Sequence, residues 1–156
     1  MSPADPPSSY RAIEKLIYTY AELVDGGDFA AVGRLFTDAR FTGARGSVTG
    51  QDAIERMLSE QVILYEDGTP RTKHVTTNVV IEIDEEASTA VSRSYFTAMQ
   101  AVPGIALQTI VSGRYHDRFE RREGEWRFAQ RQVHTDLVGD VSRHLRRPDS
   151  ADGSVG

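Results

Sequence analysis

The chain has 156 residues, of which 39% are hydrophobic and 26% charged, as expected for one folded domain and not for a disordered segment. The formal net charge of -5 is spread along the sequence, and no basic stripe indicates a nucleic-acid-binding surface. Cysteine is absent, which excludes disulfides, zinc–thiolate sites and a cysteine nucleophile. No segment approaches the roughly 20 apolar residues of a membrane span. We therefore expect a cytoplasmic protein with no membrane or nucleic-acid partner.

The N-terminal part of the sequence has the apolar spacing of helices. A first helix is predicted to begin at Ser8 or Ser9 as its cap and to end at Gly26-Gly27. Its buried face is indicated by apolar residues at helical spacing, namely Ile13, Leu16, Ile17, Tyr20 and Val24. Asp28 is expected to cap a short second helix, and a third helix is predicted after Gly50. Two short strands, Arg40–Gly43 and Ser47–Thr49, are predicted between the second and third helices.

The remainder of the sequence is rich in β-forming residues. Four long strands are predicted, at Thr72–Asp84, Thr89–Val102, Ile105–Glu120 and Glu125–Thr135. Short, turn-rich connections between them indicate hairpins, and hence a mostly antiparallel sheet. Helices followed by hairpin-joined strands are typical of the α+β class. We expect a flexible N-terminal tail at 1–7, a single domain at 8–142 and a flexible C-terminal tail at 143–156.

The first long strand alternates between two kinds of side chain. His74, Thr76 and Asn78 occupy one predicted face. The other face is mainly apolar and comprises Val75, Thr77, Val79, Ile81 and Ile83. A strongly curved sheet would place the polar face in a cavity, whereas a flat sheet would expose it to water. The alternation does not choose between these two arrangements.

Three motifs, in this order along the chain, resemble one family. Tyr20 and Asp25 lie near the end of the first helix, Lys73-His74 and Asn78 lie on the first long strand, and Gly113–Phe119 is followed by Gly124–Phe128. Together they resemble the SnoaL-like family of the nuclear transport factor 2 fold superfamily over roughly residues 8–142. The resemblance implies a cone-shaped, curved, mostly antiparallel sheet wrapped around three N-terminal helices and enclosing a deep pocket. The superfamily contains dehydratases, isomerases, polyketide cyclases and catalytically inert modules, so the fold leaves the function open.

Within that superfamily, Asp25 and His74 resemble the Asp–His pair of scytalone dehydratase and bile acid 7α-dehydratase. The resemblance implies that His74 is a general base and that Asp25 orients it. Tyr20 would donate its phenol to a substrate oxygen or a leaving group. Each residue also has a structural alternative. His74 would be a hydrogen-bonded strand histidine, Asp25 a helix-end residue and Tyr20 a packed core tyrosine.

A second set of residues is expected to bind the substrate. Asn78 lies on the predicted face of His74, and Arg114 would place a cation in the cavity, as would His134 on the last strand. The apolar lining is predicted to comprise Phe41, Met57, Phe96, Met99, Ile110 and Phe128. The alternatives are a structural hydrogen bond for Asn78, a surface cation for Arg114 and core packing for the apolar residues.

These observations favour a cofactor-independent lyase or isomerase, of dehydratase or cyclase type, with an Asp–His general base in a hydrophobic pocket. The expected substrate is a hydrophobic, polyketide-, steroid- or aromatic-like small molecule, and no metal or other cofactor is expected. The alternative is a non-catalytic small-molecule-binding or assembly module of the same fold. A homodimer is expected through the apolar strand face from Val75 to Ile83, joined by Thr89, Val91 and Tyr95.

Overall fold

The computed structural model describes residues 7–147 and has the predicted α+β architecture, with helices followed by a curved sheet. The helices are α1 (Ser9–Asp25), α2 (Phe29–Leu35) and α3 (Gln51–Gln61). Two short strands, β1 (Arg40–Gly43) and β2 (Gly46–Thr49), lie between α2 and α3. Four long strands follow, β3 (Thr72–Asp84), β4 (Thr89–Val102), β5 (Ile105–Arg122) and β6 (Glu125–Val138). No helix in the described part of the chain is long and apolar enough to cross a membrane, and the cytoplasmic location stays a prediction.

The first two helices begin after polar capping residues, and the first ends at glycines, as the sequence indicates. Ser8 caps α1, because its Oγ accepts the backbone N–H of Arg11 at 3.3 Å. Asp28 caps α2, and its Oδ1 accepts the N–H of Ala31 at 3.1 Å. At Gly27, with φ +73°, a Cβ would collide with the carbonyl oxygen of Gly68, so only glycine fits the turn. This turn ends α1 directly after Asp25.

The six strands form one sheet in the order β2-β1-β6-β5-β4-β3. The pair β1–β6 is parallel, and all other neighbouring strands are antiparallel. Register shifts interrupt β3–β4, β4–β5 and β5–β6, and such bulges increase local twist and bending. The sheet therefore curves and presents a concave face to the helices.

The core lies between this concave face and the helices. Phe36, directly after α2, stacks on Phe128 of β6 with ring centroids 4.5 Å apart, and Phe128 also contacts Phe119 of β5. Ile13 and Ile17 of α1 are buried against the same cluster, as the helical spacing predicted. Burial of each such side chain contributes about 1.5–3 kcal/mol to the free energy of unfolding.

The two faces of β3 do not follow the simple alternation that the sequence predicted. Asn78 has a left-handed backbone with φ +53°, and the pairing with β4 shifts between Thr77 and Val80. Because a bulge adds a residue to one strand, the residues that face the concave side change from even to odd numbers. Val79, Ile81 and Ile83 therefore pack against the core, whereas Val75 and Val80 are exposed. The expected continuous apolar face from Val75 to Ile83 was wrong.

The chain after β6 also differs from expectation, because residues 143–147 are packed against the domain. Leu145 forms a β-bridge with Val62, and His144 is buried. The guanidinium of Arg146 donates to the carbonyl oxygens of Ser59 and Val62 at 2.9 and 3.1 Å. The domain boundary predicted at residue 142 is therefore too early. Of the predicted tails, residues 1–6 and 148–156 lie outside the described residues, and residue 7 is described and exposed.

Candidate active site

A cavity of about 570 Å³ lies between the concave face of the sheet, the helices and the chain after β6. Its walls are mainly aromatic and aliphatic, and Phe41, Met57, Phe96, Val111, Tyr115 and Leu145 contribute to them. His74 and His144 bring imidazole groups to the same walls. A volume in this range, with few polar groups, is typical of small-molecule sites, which occupy roughly 300–1,000 Å³.

Asp25 and His74 meet at the wall of this cavity. Oδ1 of Asp25 lies 2.6 Å from Nδ1 of His74 and accepts the hydroxyl of Thr72 at 2.8 Å. Oδ2 accepts the backbone N–H of His74 at 2.7 Å. The carboxylate therefore accepts three hydrogen bonds from two residues of one strand, and it comes from the last residue of α1. The helix end and the strand face that the sequence singled out lie in direct contact.

The protonation of Asp25 follows from these contacts. Burial raises the pKa of the carboxyl, but the hydrogen bonds and charge of His74 and the hydroxyl of Thr72 together hold it below 3.8. Asp25 is therefore ionised at neutral pH. An ionised carboxylate next to Nδ1 favours the tautomer with its proton on Nδ1, which leaves the lone pair of Nε2 free. In that form His74 can accept a proton.

Tyr20 lies five residues before Asp25 on α1 and lines the cavity. Its ring packs against Phe41 and Tyr115, with centroid distances of 6.2 and 5.9 Å. Burial raises the pKa of the Tyr20 phenol to about 12, and the nearby charge of Arg131 only partly offsets this. The phenol therefore stays protonated at neutral pH and can act as a hydrogen-bond donor.

A buried ion pair packs against the rings of Tyr20 and Tyr115. Arg131 and Asp117 are both fully buried and form two hydrogen bonds of 2.8 Å, from Nε and Nη2 of the arginine. The guanidinium carbon lies 4.4 Å from the ring centroid of Tyr20 and 3.8 Å from that of Tyr115. Burial alone would lower the pKa of Arg131. The charge and hydrogen bonds of Asp117 outweigh that effect and raise the pKa above its ordinary value, so the arginine stays charged.

A second imidazole lies close to the Asp25–His74 pair. His144 is 6% exposed, and its ring centroid lies 6.2 Å from that of His74. Burial lowers the pKa of His144 to about 4, so the ring is neutral at pH 7. Its Nδ1 is buried and has no hydrogen-bond partner among the described residues.

Three of the predicted substrate-binding residues line the cavity, and six do not. Phe41, Met57 and Phe96 form part of the wall. Phe128 is instead a core residue stacked on Phe36, and Ile110 is fully buried at the irregularity between β4 and β5. Neither of the two contributes to the cavity wall. Both are buried in the packed core instead.

The remaining four of those residues lie elsewhere because of strand parity. Met99 lies on the opposite side of β4 from the buried residues Phe96 and Gln100. Arg114 forms an exposed ion pair with Asp136, with nitrogen–oxygen distances of 2.9 and 3.1 Å. His134 packs against His116, with ring centroids 4.8 Å apart, and Asn78 is exposed at the bulge. The predicted placement of these four residues in the cavity was wrong.

Three functional candidates were missing from the sequence interpretation. Thr72 is two residues before His74 and shares its face, so strand alternation carried a signal for it. Tyr115 stacks on Phe96 with centroids 4.6 Å apart. His144 lies in a turn beyond β6, where no periodic pattern indicates which way a side chain points. The sequence interpretation assigned it to the C-terminal tail. No group of three or more His, Cys, Asp or Glu side chains within residues 7–147 is placed to hold a metal ion.

Known structures share this fold at low sequence identity. A candidate scytalone dehydratase from Novosphingobium aromaticivorans has a TM-score of 0.67 at 23% identity, covering 84% of this chain and 86% of that one. LinA has a TM-score of 0.68 at 22% identity, covering 90% and 95% of the two chains. A protein of unknown function with a cystatin-like fold from Nostoc punctiforme has a TM-score of 0.72 at 18% identity, covering 87% and 97%. No curated protein matches this chain significantly.

The family assignment rests on a match over most of the sequence. The SnoaL-like domain family matches residues 7–132, which include all three helices and the first five strands. The same range contains Tyr20, Asp25 and His74, whereas His144 lies beyond it. The chain belongs to the SnoaL-like domain family, with the curved-sheet fold of nuclear transport factor 2-like proteins.

Proposed function

We propose that this protein is a cofactor-independent lyase or isomerase, of dehydratase or cyclase type, acting on a hydrophobic small molecule. The observation that carries the proposal is the contact between Asp25 and His74 at the wall of an apolar cavity. A carboxylate-held imidazole with a free Nε2 is a general base, and such a base needs an enclosed substrate site beside it. The shared fold of a candidate scytalone dehydratase supports the same reaction class.

The reaction starts with removal of a proton from carbon. His74 Nε2 takes the proton from a carbon next to a carbonyl group, and Asp25 stabilises the imidazolium that forms. In a dehydration, the electron pair of the broken C–H bond forms a double bond to the adjacent carbon, and the C–O bond there breaks. The departing hydroxide takes up the proton that His74 removed, so the products are an unsaturated ketone and water and the imidazole is neutral again. An isomerisation or a cyclisation begins with the same proton transfer.

Tyr20 and the apolar walls would act on the substrate directly. The protonated phenol of Tyr20 would donate a hydrogen bond to the carbonyl or to the leaving oxygen. Phe41, Met57 and Phe96 would bind the hydrocarbon part of the substrate and exclude water from it. A hydrophobic ketone with a small number of oxygen atoms fits these walls better than a sugar or a nucleotide.

The test compares turnover by wild type, His74→Ala and His134→Ala on a set of β-hydroxyketones built on polyketide-like, steroid-like and aromatic frameworks. One member, β-hydroxy-α-tetralone, loses water to give fluorescent α-naphthol. General acid–base assistance contributes roughly 10²–10⁴-fold in rate, so His74→Ala should lose that much activity while remaining folded, as checked by circular dichroism. His134→Ala removes an imidazole on the outer face and should keep full activity. Equal turnover by all three proteins would reject His74 as the base.

The second candidate function is a non-catalytic binding or assembly module, and one surface favours it. On the outer face of β3 and β4, Val75, Val80, Val91 and Tyr95 are 40%, 39%, 43% and 51% exposed. Clustered exposed apolar side chains mark association surfaces. A homodimer through this face is our proposed partner arrangement. Sedimentation of wild type beside Tyr95→Glu tests it, since a dimer should dissociate in the variant and a monomer should be unaffected.

A further inference from the structure

The turn after β6 brings a second histidine to the cavity. The backbone N–H groups of His144 and Leu145 both donate to the carbonyl oxygen of Val141, at 3.0 and 2.9 Å. This turn places the ring of His144 with its centroid 6.2 Å from that of His74, at an interplanar angle of 60°. Both rings line the same cavity, and Phe96 lies beside His74 with a centroid distance of 6.4 Å.

Hydrogen bonds to buried and half-buried partners hold this turn in place. The carbonyl oxygen of His144 accepts the backbone N–H of Ile63 at 2.9 Å. The carbonyl oxygen of Arg143 accepts the hydroxyl of Tyr65 at 2.6 Å and the side-chain amide of Gln100 at 3.0 Å. Gln100 is itself buried and also bonds to the carbonyl oxygen of Pro70. The main chain on either side of the imidazole is therefore fixed, and the ring is positioned by the fold.

The neutral ring of His144 has one proton to place on its two nitrogen atoms. Nδ1 is buried and lacks a partner among residues 7–147. A buried N–H without an acceptor is rarer in proteins than a buried lone pair without a donor. The proton therefore belongs on Nε2, which is not among the buried atoms without a partner, in a ring that lines the cavity. The two histidines are then complementary, because Nε2 of His74 accepts a proton and Nε2 of His144 donates a hydrogen bond.

We propose that His144 is a catalytic residue that donates its Nε2–H to the carbonyl or leaving oxygen of the substrate while His74 removes the C–H proton. This inference rests on the proposed function and narrows its substrate class. The substrate carries an oxygen acceptor and an acidic C–H on neighbouring atoms, as in a β-hydroxyketone, and bridges the space between the two rings. A fixed donor stabilises the negative charge that develops on that oxygen.

A first experiment tests the protonation state without any ligand. Heteronuclear NMR of the imidazole nitrogens, with the His144 signals identified by their loss in His144→Gln, reports tautomer and charge directly. At neutral pH we expect a neutral ring with its proton on Nε2. A ring protonated on Nδ1, or a charged ring at neutral pH, would overturn the proposal.

A second experiment measures the donor through binding. α-Tetralone carries a carbonyl group, and tetralin has nearly the same shape without it. Calorimetry on wild type should show roughly 5- to 10-fold tighter binding of α-tetralone, the contribution of a typical hydrogen bond. This preference should disappear in His144→Ala. It should persist in His144→Gln, whose amide nitrogen reaches the position of Nε2, and should be lost in His144→Asn, whose amide nitrogen reaches only that of Nδ1.

The outcomes of the binding experiment separate this inference from the proposed function. An unchanged preference in His144→Ala overturns the inference, as does a wild type that binds both ligands equally or binds neither. His134→Gln, which removes an imidazole from the face of β6 opposite the cavity-lining residues Val133 and Thr135, should keep the preference. Turnover of β-hydroxy-α-tetralone by His74→Ala tests the base independently. If His74→Ala loses turnover while His144→Ala keeps the preference for α-tetralone, the proposed function is supported and the role of His144 is rejected.

Discussion

Asp25 contacts His74 through both of its carboxylate oxygens. Oδ1 lies 2.6 Å from the ring nitrogen Nδ1, and Oδ2 accepts the backbone N–H of the same residue at 2.7 Å. The second contact fixes the carboxylate relative to the main chain of β3, so the first contact has a defined direction. The orientation of the imidazole therefore depends on the end of α1, which the Gly26-Gly27 turn terminates.

The first prediction concerns Asp25→Asn. An amide at this position can still accept the backbone N–H of His74 with its oxygen, but it then presents N–H groups to Nδ1. His74 would lose its Nδ1 proton, and Nε2 would carry the proton in the neutral ring. We expect kcat for β-hydroxy-α-tetralone to fall by about 10²–10⁴-fold, with KM changed little. Steady-state kinetics measure this, and a variant with wild-type kcat would show that the aspartate is a structural helix-end residue.

The second prediction concerns Thr72, whose hydroxyl donates to Oδ1 of Asp25 at 2.8 Å. Thr72→Val keeps the size of the side chain and removes that hydrogen bond, so the pKa of Asp25 should rise and its hold on His74 should weaken. A hydrogen bond to a charged group contributes about 1.5–3 kcal/mol, so kcat should fall roughly 10- to 100-fold if the full amount acts in the transition state. Thr72→Ser restores the hydroxyl and should restore most of the activity. Equal kinetics for the Val and Ser variants would contradict this role.

The third prediction concerns the buried pair of Arg131 and Asp117. Arg131→Met leaves the Asp117 carboxylate buried without its partner, which costs about 3–5 kcal/mol in similar cases. The double variant Arg131→Met/Asp117→Leu removes both charges and should recover much of that loss. Urea unfolding measures the free energies. Asp117→Leu is the second single variant. If the double variant loses as much unfolding free energy as the two single variants together, the two side chains contribute independently and the loss does not come from breaking the ion pair.

The bounds of β3 and β4 were predictable because local chemistry sets them, whereas β5 and β6 extend to Arg122 and Val138, beyond the predicted ends at Glu120 and Thr135. β3 and β4 have the predicted limits, Thr72–Asp84 and Thr89–Val102, since turn residues stop each run of β-forming side chains. Strand parity was predictable only between irregularities. The bulge at Asn78 exchanges the faces of β3, and a sequence pattern that counts in steps of two does not detect an added residue. Asn78, Met99, Arg114 and His134 were misplaced by parity or by the face assigned to their strand.

The Asp25–His74 contact was predictable only through the family resemblance. The two residues lie on different elements, and nothing in their spacing requires α1 to end against the start of β3. His144 was not predictable in this way, because it follows the last strand and lies outside the residues that the family matches. Its position depends on the bridge between Val62 and Leu145, a tertiary contact with no signal in local sequence.

The fourth prediction concerns the bulge itself. Asn78 has φ +53°, a region where asparagine is tolerated and β-branched residues are strongly disfavoured. Asn78→Val should therefore lower the free energy of unfolding by about 1–3 kcal/mol, although valine is a good strand former. Asn78→Gly should stay close to wild type, because glycine adopts this conformation freely. Urea unfolding of the two variants measures the difference, and a valine variant as stable as the glycine variant would contradict the left-handed conformation.

The fifth prediction concerns the effect of acid on stability through His144. In the folded protein, the pKa of His144 is lowered from 6.5 to about 4, mainly by burial. The nearby ionisable groups are His74 and Asp25. Between these two pH values the unfolded chain binds a proton at His144 that the folded chain does not, so stability falls as the pH falls through this window. The pKa of Asp25 is held below its ordinary value, so its own titration contributes mainly at pH values below this window.

Replacing the imidazole should remove this loss. At about pH 5, wild type should lose about 2 kcal/mol of unfolding free energy through His144 relative to pH 7, and His144→Gln should not lose this part. Urea unfolding of both proteins at the two pH values gives the difference, and His134→Gln controls for removal of an imidazole elsewhere in the fold. Parallel losses in wild type and His144→Gln would show that the ring titrates as it does in the unfolded chain, and hence that burial does not keep it neutral.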